Sequence, residues 1–599
     1  MDSFKSNGVA GFLSGMLVLV LIGCGGGAEK NTSAPASVII SGTVAAGAPV
    51  VGYVSVRDSS SNPQPVRTGI PIAADGKYSV EVAGLTAPYA FLADGTVGGR
   101  RVQLYSAATK ADENGNISIT PFTDLMLRNI AGTIATTLTD AISSKLPNLT
   151  TAELNAQRDQ LTAQLAPVLV AAGLPTSIDL LRSAFNADNT GLDRFMDLVK
   201  VDTTVPTAVT ITNILDANNK LTVNPQTGVT SGGTSLSATG VTPATQPNAV
   251  DLIMQVVNSF SAFFATSLPS PTDPTLVAMF SSTFVDNGRT RDAFLTQITN
   301  SSVTLGLKFS NLVVDSVDTN TGIATIHYVP ENGAGANLSN NDKPGGAEST
   351  ELKYEGGAWK IHGNQRIANV HIQTMAERWT CIPASINGCS PGTSYKTGFN
   401  LLIDNPAMAA IGSAVVTGPG LGAGVTLVAQ ANQTGFVILN PPACSGCVTN
   451  SFYMDDAAIT GMGSGPYTYQ VALYDNATTP ALIATSTEVV PVAPTLNSAL
   501  ATFAFPSNTS AVNLANVAAG GTLTVNWTIP AGLSGDLVGV SVNNSTDNVR
   551  VTADLIGKTA TSGSSILNIR APNSGAWTGG NVSISTWDVN LGKVNSYYQ

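Results

Sequence analysis

The chain has 599 residues, of which 11% are charged and 43% are hydrophobic, with a formal net charge of -11 and a pI near 4.8. The acidic balance and the lack of any Lys/Arg cluster exclude a nucleic-acid partner, because such partners require a basic face that releases counterions. The low charge content is typical of exported β-rich proteins, and the length predicts about four domains.

The amino terminus has the pattern of an export signal. Its apolar run, residues 12–22, is too short to span a bilayer as a helix and is typical of a signal-peptide core. The run ends in Leu21-Ile22-Gly23-Cys24, which resembles the lipobox of bacterial lipoproteins. The resemblance implies cleavage after residue 23, acylation of Cys24 and attachment to a membrane through that lipid. Gly25, in place of aspartate, points to the outer membrane. An ordinary secretory signal with a chance cysteine is the alternative.

A tether and a β domain follow the lipobox. Residues 24–37 are rich in Gly, Ser, Ala and Pro and predict a flexible tether. Residues 38–110 place turn residues between short alternating apolar runs, such as Gly52–Asp58, and an Asp-Gly turn leads into the strand Lys77–Val80. The spacing of Gly and Val resembles the carboxypeptidase regulatory-like domain, which implies a seven-stranded β-sandwich used as a spacer or adhesion unit.

Helical periodicity replaces alternation in residues 111–223, where the apolar stripes predict a small helical subdomain. Residues 224–248 are dense in Thr, Ser, Gly and Pro and predict a linker. The segment Asn186–Asp197 partly matches a calcium loop but closes on Asp instead of Glu, so a solvated turn is the preferred interpretation and no metal site is predicted.

Residues 249–380 combine a helical stretch with long strands. Val303, Leu305, Leu307 and Phe309 alternate and predict a strand, and a Gly-Gly hairpin precedes a strand with Trp359. The pattern resembles the cone-shaped fold shared by ketosteroid isomerases and SnoaL-like proteins. That resemblance implies a pocket enclosed between helices and a curved sheet.

The three histidines of the chain all fall on predicted strands of this region. Histidine is the natural general base near neutral pH, so His327, His362 and His371 are the candidate pocket residues. Solvated or hydrogen-bonded histidines on the sheet surface are the simpler interpretation. No catalytic residue and no cofactor are predicted.

Four cysteines remain once Cys24 is assigned to the lipid. An even number in an exported chain predicts two disulfides, and the preferred connectivity of the three is Cys381–Cys389 with Cys444–Cys447. A zinc site and a redox Cys-x-x-Cys are the alternatives. The zinc alternative is weakened by the seven residues between the first two cysteines, and the redox alternative by the loop around Cys444.

The remainder of the chain is predicted to be β. Residues 381–495 form a disulfide-containing β domain, and residues 496–599 resemble immunoglobulin-like or fibronectin type III modules through alternation around Trp527. Whether the two segments form one domain or two stays open. Exposed aromatics such as Tyr453 or Trp577 lined up on one β face would indicate a glycan-binding surface.

These features predict a multidomain protein, mainly β with α+β parts. The expected function is that of a lipid-anchored, non-enzymatic envelope or surface protein with a structural, adhesive or partner-binding role and a glycan or protein partner. The alternative is small-ligand binding or catalysis in the pocket of residues 249–380.

Overall fold

A computed structural model describes residues 37–599 except 61–65, 134–137, 204–207, 228, 340–346, 383–386, 406, 408–409, 430–434, 440–447, 510–512, 557–559 and 589–591. Strands make up 43% of the structure and helices 19%, and the strands form several sheets. The prediction of a mainly β architecture is therefore confirmed. Within the described residues, no helix is both long and apolar enough to cross a membrane.

The first region contains six strands: β1 (Ile39–Thr43), β2 (Val51–Asp58), β3 (Arg67–Pro71), β4 (Lys77–Glu81), β5 (Tyr89–Val97) and β6 (Arg100–Ala108). β1 pairs with β4, and the other four form a sheet in the order β3-β2-β5-β6. Alternate residues such as Val54 and Phe91 point into one apolar core, as the period-two pattern requires.

Four helices follow: α1 (Pro121–Ala131), α2 (Leu138–Lys145), α3 (Thr151–Ala171) and α4 (Gly191–Leu198). Local sequence sets their ends. Thr120 accepts a hydrogen bond from the Thr123 amide at the start of α1, Gly132 ends α1 at a φ of 64°, and Thr150 caps α3 with Glu153.

The helices share their core with a sheet that the sequence analysis did not predict. It consists of β7 (Val199–Asp202), β8 (Val209–Asn213), β9 (Lys220–Asn224) and β10 (Val229–Ser231). Residues 111–223 are therefore not purely helical, and residues 224–248 are not a free linker. Leu236 and Val241 are buried in the common core, because these isolated apolar residues in a polar run pack against the helices.

The next region contains helices α5 (Ala249–Ala262), α6 (Pro274–Ala278) and α7 (Arg291–Thr299), and a short hairpin of β11 (Val285–Asp286) and β12 (Arg289–Thr290). They pack on a four-stranded antiparallel sheet of β13 (Lys308–Asp318), β14 (Ile323–Glu331), β15 (Glu348–Glu355) and β16 (Ala358–Gly363).

Two expectations for this region are wrong. Val303 lies in a 3₁₀ turn, Ser302–Thr304, and is 51% exposed, so it does not continue the alternation of β13. The sheet also ends at Gly363. Residues 369–380 belong to the next sheet, because their backbone groups pair with residues 392–404 on one side and with residues 593–598 on the other.

The described residues of the last region form sixteen strands and two short helices, α8 (Asp456–Gly461) and α9 (Asn497–Leu500). The strands are β17 (Asn369–Cys381), β18 (Gly392–Asp404), β19 (Ile411–Thr417), β20 (Val425–Ala429), β21 (Phe436–Leu439), β22 (Val448–Thr449), β23 (Ser451–Tyr453), β24 (Tyr467–Asp475), β25 (Leu482–Val490), β26 (Ser507–Asn508), β27 (Gly521–Thr528), β28 (Leu533–Asn543), β29 (Asn548–Leu555), β30 (Ser562–Ile569), β31 (Gly579–Asp588) and β32 (Gly592–Tyr598).

A seven-stranded sheet in the order β23-β18-β17-β32-β31-β28-β29 runs through this region. One half of its apolar face packs on the six-stranded sheet β22-β21-β20-β19-β24-β25, and the other half packs on β26-β27-β30. The parallel pairing of β17 with β32 joins the halves. Residues 381–495 and 496–599 thus have separate apolar cores but share one continuous sheet.

Candidate binding site

The three candidate histidines have separate partners. His327 lies on β14, where its Nδ1 is 2.8 Å from Oδ1 of Asp315, and burial lowers its pKa. On β16, His362 has Nδ1 2.7 Å from the Ser281 hydroxyl, and burial lowers its pKa as well. His371 lies on β17 beside Glu488. The sequence made the three histidines candidates for one pocket, but in the structure they do not meet.

An aromatic cavity of about 260 Å³ does lie between the helices and the sheet of residues 249–363. Its lining includes six aromatic side chains, and none of the three histidines lines it. We call it the aromatic cavity and define it by Phe260, Phe280, Phe284, Phe294, Phe309 and Tyr328. Phe309 and Tyr328 stack with ring centroids 3.9 Å apart.

One of the two predicted cysteine pairs lies within the described residues. The sulfur atoms of Cys381 and Cys389 are at disulfide distance, 1.96 Å apart, at the end of β17. Cys24, Cys444 and Cys447 fall outside the described residues, so the lipid anchor and the second disulfide stay predictions.

The strongest candidate site lies on the seven-stranded sheet. Strand register aligns polar side chains on the face opposite the apolar cores: Gln373 is opposite Asn400, Glu377 is opposite Asn595, and Ser585 is the next neighbour of Asn595. Because side chains alternate along a strand, alternate residues of six adjacent strands contribute to this face.

This polar face lines a cavity of about 770 Å³, which we call the polar groove. Most of its lining side chains are amides, hydroxyls, aromatics and a few charged groups from adjacent strands: Gln373, Glu377, Trp379, Asn400, Tyr453, Ser541, Asn581, Ser583, Ser585, Lys593, Asn595 and Tyr597. Three aliphatic residues of these strands, Leu402, Leu537 and Val540, also line it. Val303 and Asn337–Ser339 border it from the neighbouring α+β region. The volume lies within the range of sites that hold small organic ligands, about 300–1,000 Å³.

Several polar atoms in the polar groove are buried without a partner. Gln373 is 1% exposed, and neither its amide oxygen nor its amide nitrogen has a hydrogen-bond partner among the described residues. The side-chain oxygens of Asn400 and Asn595 are also buried and have no hydrogen-bond partner among the described residues. Burying such groups unpaired costs free energy, so this arrangement is typical of a surface that receives its partners from a ligand or ordered water.

Glu377 lies at the centre of a cluster of aromatic donors. Its Oε2 accepts hydrogen bonds from Nε1 of Trp379 at 2.9 Å and from the Tyr453 hydroxyl at 3.2 Å, and Tyr597 donates a further bond to the carboxylate. Burial raises the pKa of Glu377, and these hydrogen bonds offset part of that rise. The carboxylate therefore fixes the orientation of the aromatic rings around it.

The rings form a platform along the polar groove. Trp379 and Tyr597 stack with centroids 4.1 Å apart and an interplanar angle of 16°. The Lys396 ammonium lies 5.2 Å from the Trp379 ring centroid and 4.7 Å from that of Tyr453. All three rings are partly exposed, so each keeps some surface for a ligand. Trp577, in contrast, is 2% exposed and packs in an apolar core.

A buried ion pair lies at the other side of the polar groove. Nζ of Lys593 is 2.6 Å from Oδ2 of Asp536, and both side chains are almost fully buried. The same ammonium lies 4.4 Å from the centroid of the Trp587 ring. The pair neutralises Lys593 and leaves the amides and hydroxyls as the main recognition groups.

Tyr453 is the groove residue that the sequence pattern suggested, and most other groove residues were not predicted. The pattern that could have indicated them is the set of polar residues that alternate with buried apolar ones. An example is Asn581, Ser583 and Ser585, which alternate with buried Val582 and Ile584. Apolar residues mark a core in any sheet, whereas the polar residues form a site only when strands far apart in sequence become neighbours.

No family model and no curated protein matches this chain. The resemblances to carboxypeptidase regulatory-like, SnoaL-like and immunoglobulin-like domains are therefore predictions from local sequence patterns. Among the described residues, no group of three or more His, Cys, Asp or Glu side chains is arranged to hold a metal ion.

Proposed function

We propose that this protein is a lipid-anchored, non-enzymatic protein of the cell envelope that binds a glycan in the polar groove. The observation that carries the proposal is the combination in one groove of three partly exposed aromatic rings, Trp379, Tyr453 and Tyr597, with amides such as Gln373 whose polar atoms are unpaired among the described residues. Sugar hydroxyls donate and accept hydrogen bonds, so a sugar can pair with both ends of an amide.

The aromatic platform supports the same ligand class. The C–H face of a sugar ring carries slight positive charge and packs on the electron-rich face of an aromatic ring. The Tyr597 hydroxyl accepts a hydrogen bond from the Asn595 amide nitrogen at 3.2 Å, and Trp379 stacks on Tyr597, so one ligand can contact these rings and Asn595. Amides next to partly exposed aromatics favour a glycan over a purely apolar or strongly charged ligand.

The chemistry of the polar groove favours binding over hydrolysis. Glycoside hydrolysis ordinarily uses two carboxyl groups on opposite sides of the scissile bond. Among the described lining residues, Glu377 is the carboxylate, and its Oε2 already accepts hydrogen bonds from Trp379 and Tyr453. We therefore assign Glu377 an orienting role.

Glycan binding is tested with the detergent-solubilised full chain on an array of neutral and acidic oligosaccharides, followed by calorimetry. We expect Trp379→Ala to weaken the binding of any captured glycan by about tenfold or more, because aromatic anchors dominate binding energy. Tyr354→Ala is the matched control, since Tyr354 is a half-exposed aromatic on β15 that does not line the groove. Equal affinities of the two variants, or capture of no glycan by the wild type, would overturn the proposal.

The anchor is tested separately by palmitate labelling of cells with and without globomycin. Wild-type protein should take up label, and Cys24→Ser should not. Proteolysis of intact cells then reports whether the chain is exposed at the surface. An unlabelled wild type would exclude the lipid anchor, and full protection from protease would exclude surface exposure.

A further inference from the structure

The polar groove and the aromatic cavity are adjacent. Val303, Leu338 and Ser339 line both, so among the described residues these side chains lie at the junction of the two spaces. Val303 is 51% exposed although it is apolar and lies at this junction. A ligand in the polar groove therefore has an apolar surface and a second cavity directly beside it.

The two spaces differ in chemistry. The polar groove is lined by amides and hydroxyls, whereas the aromatic cavity has a wall of phenylalanines completed by aliphatic residues such as Ile298, Leu307 and Ile361. Charged groups also border the aromatic cavity, but Arg289 is already paired with Asp286. Glu348 also lines the cavity and accepts a hydrogen bond from the Ser339 hydroxyl. The aromatic and aliphatic part of the wall is suited to a hydrocarbon or aromatic group, whose burial is favourable in proportion to its apolar area.

The size of the aromatic cavity also indicates that it takes part of a ligand. Its 260 Å³ lies below the range of about 300–1,000 Å³ that is usual for a complete ligand site. The polar groove, at about 770 Å³, is large enough for an oligosaccharide head. Together the spaces match a molecule with a polar portion and a smaller apolar portion.

We infer that the ligand is an amphiphile, a glycan that carries an alkyl or aryl group. The glycan lies in the polar groove, and its apolar group passes Val303 and Leu338 into the aromatic cavity. This inference rests on the proposed glycan-binding function and adds to it the class of glycan. It gives the aromatic cavity a binding role that does not depend on the histidines.

The test compares cellobiose, maltose and lactose with their n-hexyl glycosides, below the concentration at which the glycosides form micelles. Binding to the detergent-free chain carrying Cys24→Ser is measured by calorimetry. We expect each hexyl glycoside of a bound sugar to bind at least about tenfold more tightly than the free sugar, because several methylene groups are buried.

Val303→Trp probes the junction, and Leu305→Trp is its control. Both positions are about half exposed, but Leu305 lines neither space, so both variants are expected to fold. Val303→Trp should reduce the affinity ratio of glycoside to free sugar to about one, and Leu305→Trp should leave it at the wild-type value. Because this ratio compares two ligands on the same variant, any effect of the new tryptophan on binding of the sugar portion cancels.

The outcomes separate the two proposals. Free sugars that bind without any gain from the hexyl chain would overturn the amphiphile inference and leave the glycan proposal intact. A gain that survives in Val303→Trp would place the hexyl chain elsewhere and also overturn the inference. Absence of binding by every sugar and every glycoside would overturn both.

Discussion

The two faces of the seven-stranded sheet are buried to a similar degree, but one carries apolar side chains and the other polar ones. On one face Val582 and Ile584 have no exposed surface and pack in apolar cores. On the other, Gln373 and Glu377 are 1% and 3% exposed, yet the Gln373 amide lacks partners among the described residues. Burial stabilises the first face and costs free energy on the second, which supports the second as the proposed ligand-binding face.

Neighbouring residues of β31 give the largest expected contrast between the faces. Val582→Asp places a carboxylate in an apolar core and should reduce the free energy of unfolding by more than about 4 kcal/mol, measured by urea denaturation. Ser583→Asp places the same group in the polar groove and should cost less than about 1 kcal/mol. Similar losses in both variants would show that the two faces are equivalent.

The buried pair Lys593–Asp536 gives the next largest effect. Lys593→Met leaves the Asp536 carboxylate buried without its cation, so the free energy of unfolding should fall by about 3 kcal/mol or more. The double variant Lys593→Met/Asp536→Leu removes the orphaned charge and should recover much of that loss. If the double variant were less stable than the single variant, the pair would not be the source of the effect.

Gln373 allows stability and binding to be separated. Gln373→Leu keeps a side chain of similar size and removes two unpaired buried atoms, so it should raise the free energy of unfolding by about 1 kcal/mol. The same change should weaken glycan binding, because the amide that pairs with the ligand is gone. A variant that loses stability would indicate that the amide already has partners in the free protein.

The smallest expected effect is a pH dependence at Glu377. Burial raises its pKa above the usual 4.5, so the folded state holds its proton more tightly than the unfolded state does. Its contribution to stability is complete below pH 4.5 and is lost as the pH rises through the folded pKa. Glu377→Gln should therefore show a smaller loss of stability than the wild type between pH 4.5 and 7, as measured by urea denaturation at each pH.

Glu355 is the control of opposite sign. Hydrogen bonds from Ser282 lower its pKa, so its contribution is present above the unfolded pKa and is lost as the pH falls. Glu355→Gln should change the pH profile in the opposite direction to Glu377→Gln. Identical profiles for the two variants would contradict the burial of Glu377.

Local sequence predicted many elements but not their neighbours. Alternation located strands such as β2 and β4, since side chains on a strand alternate between core and solvent whatever the strand pairs with. It failed at Val303, where an apolar residue in a turn lies at the border of two cavities. Nothing in the sequence of either strand indicates that β17 pairs with β32. The polar groove depends on that pairing, so it could not be predicted from the sequence.

The position of β32 between β17 and β31 makes the assembly of the site a late event. β17 is completed long before β32 is made, and closing a loop of roughly 200 residues is slow and entropically costly. Until β32 inserts, both halves of the sheet expose unpaired edges, and Lys593, Asn595 and Tyr597 are absent from the groove. Under the proposed function, ligand binding therefore requires a completed fold, because the last strand supplies part of the groove.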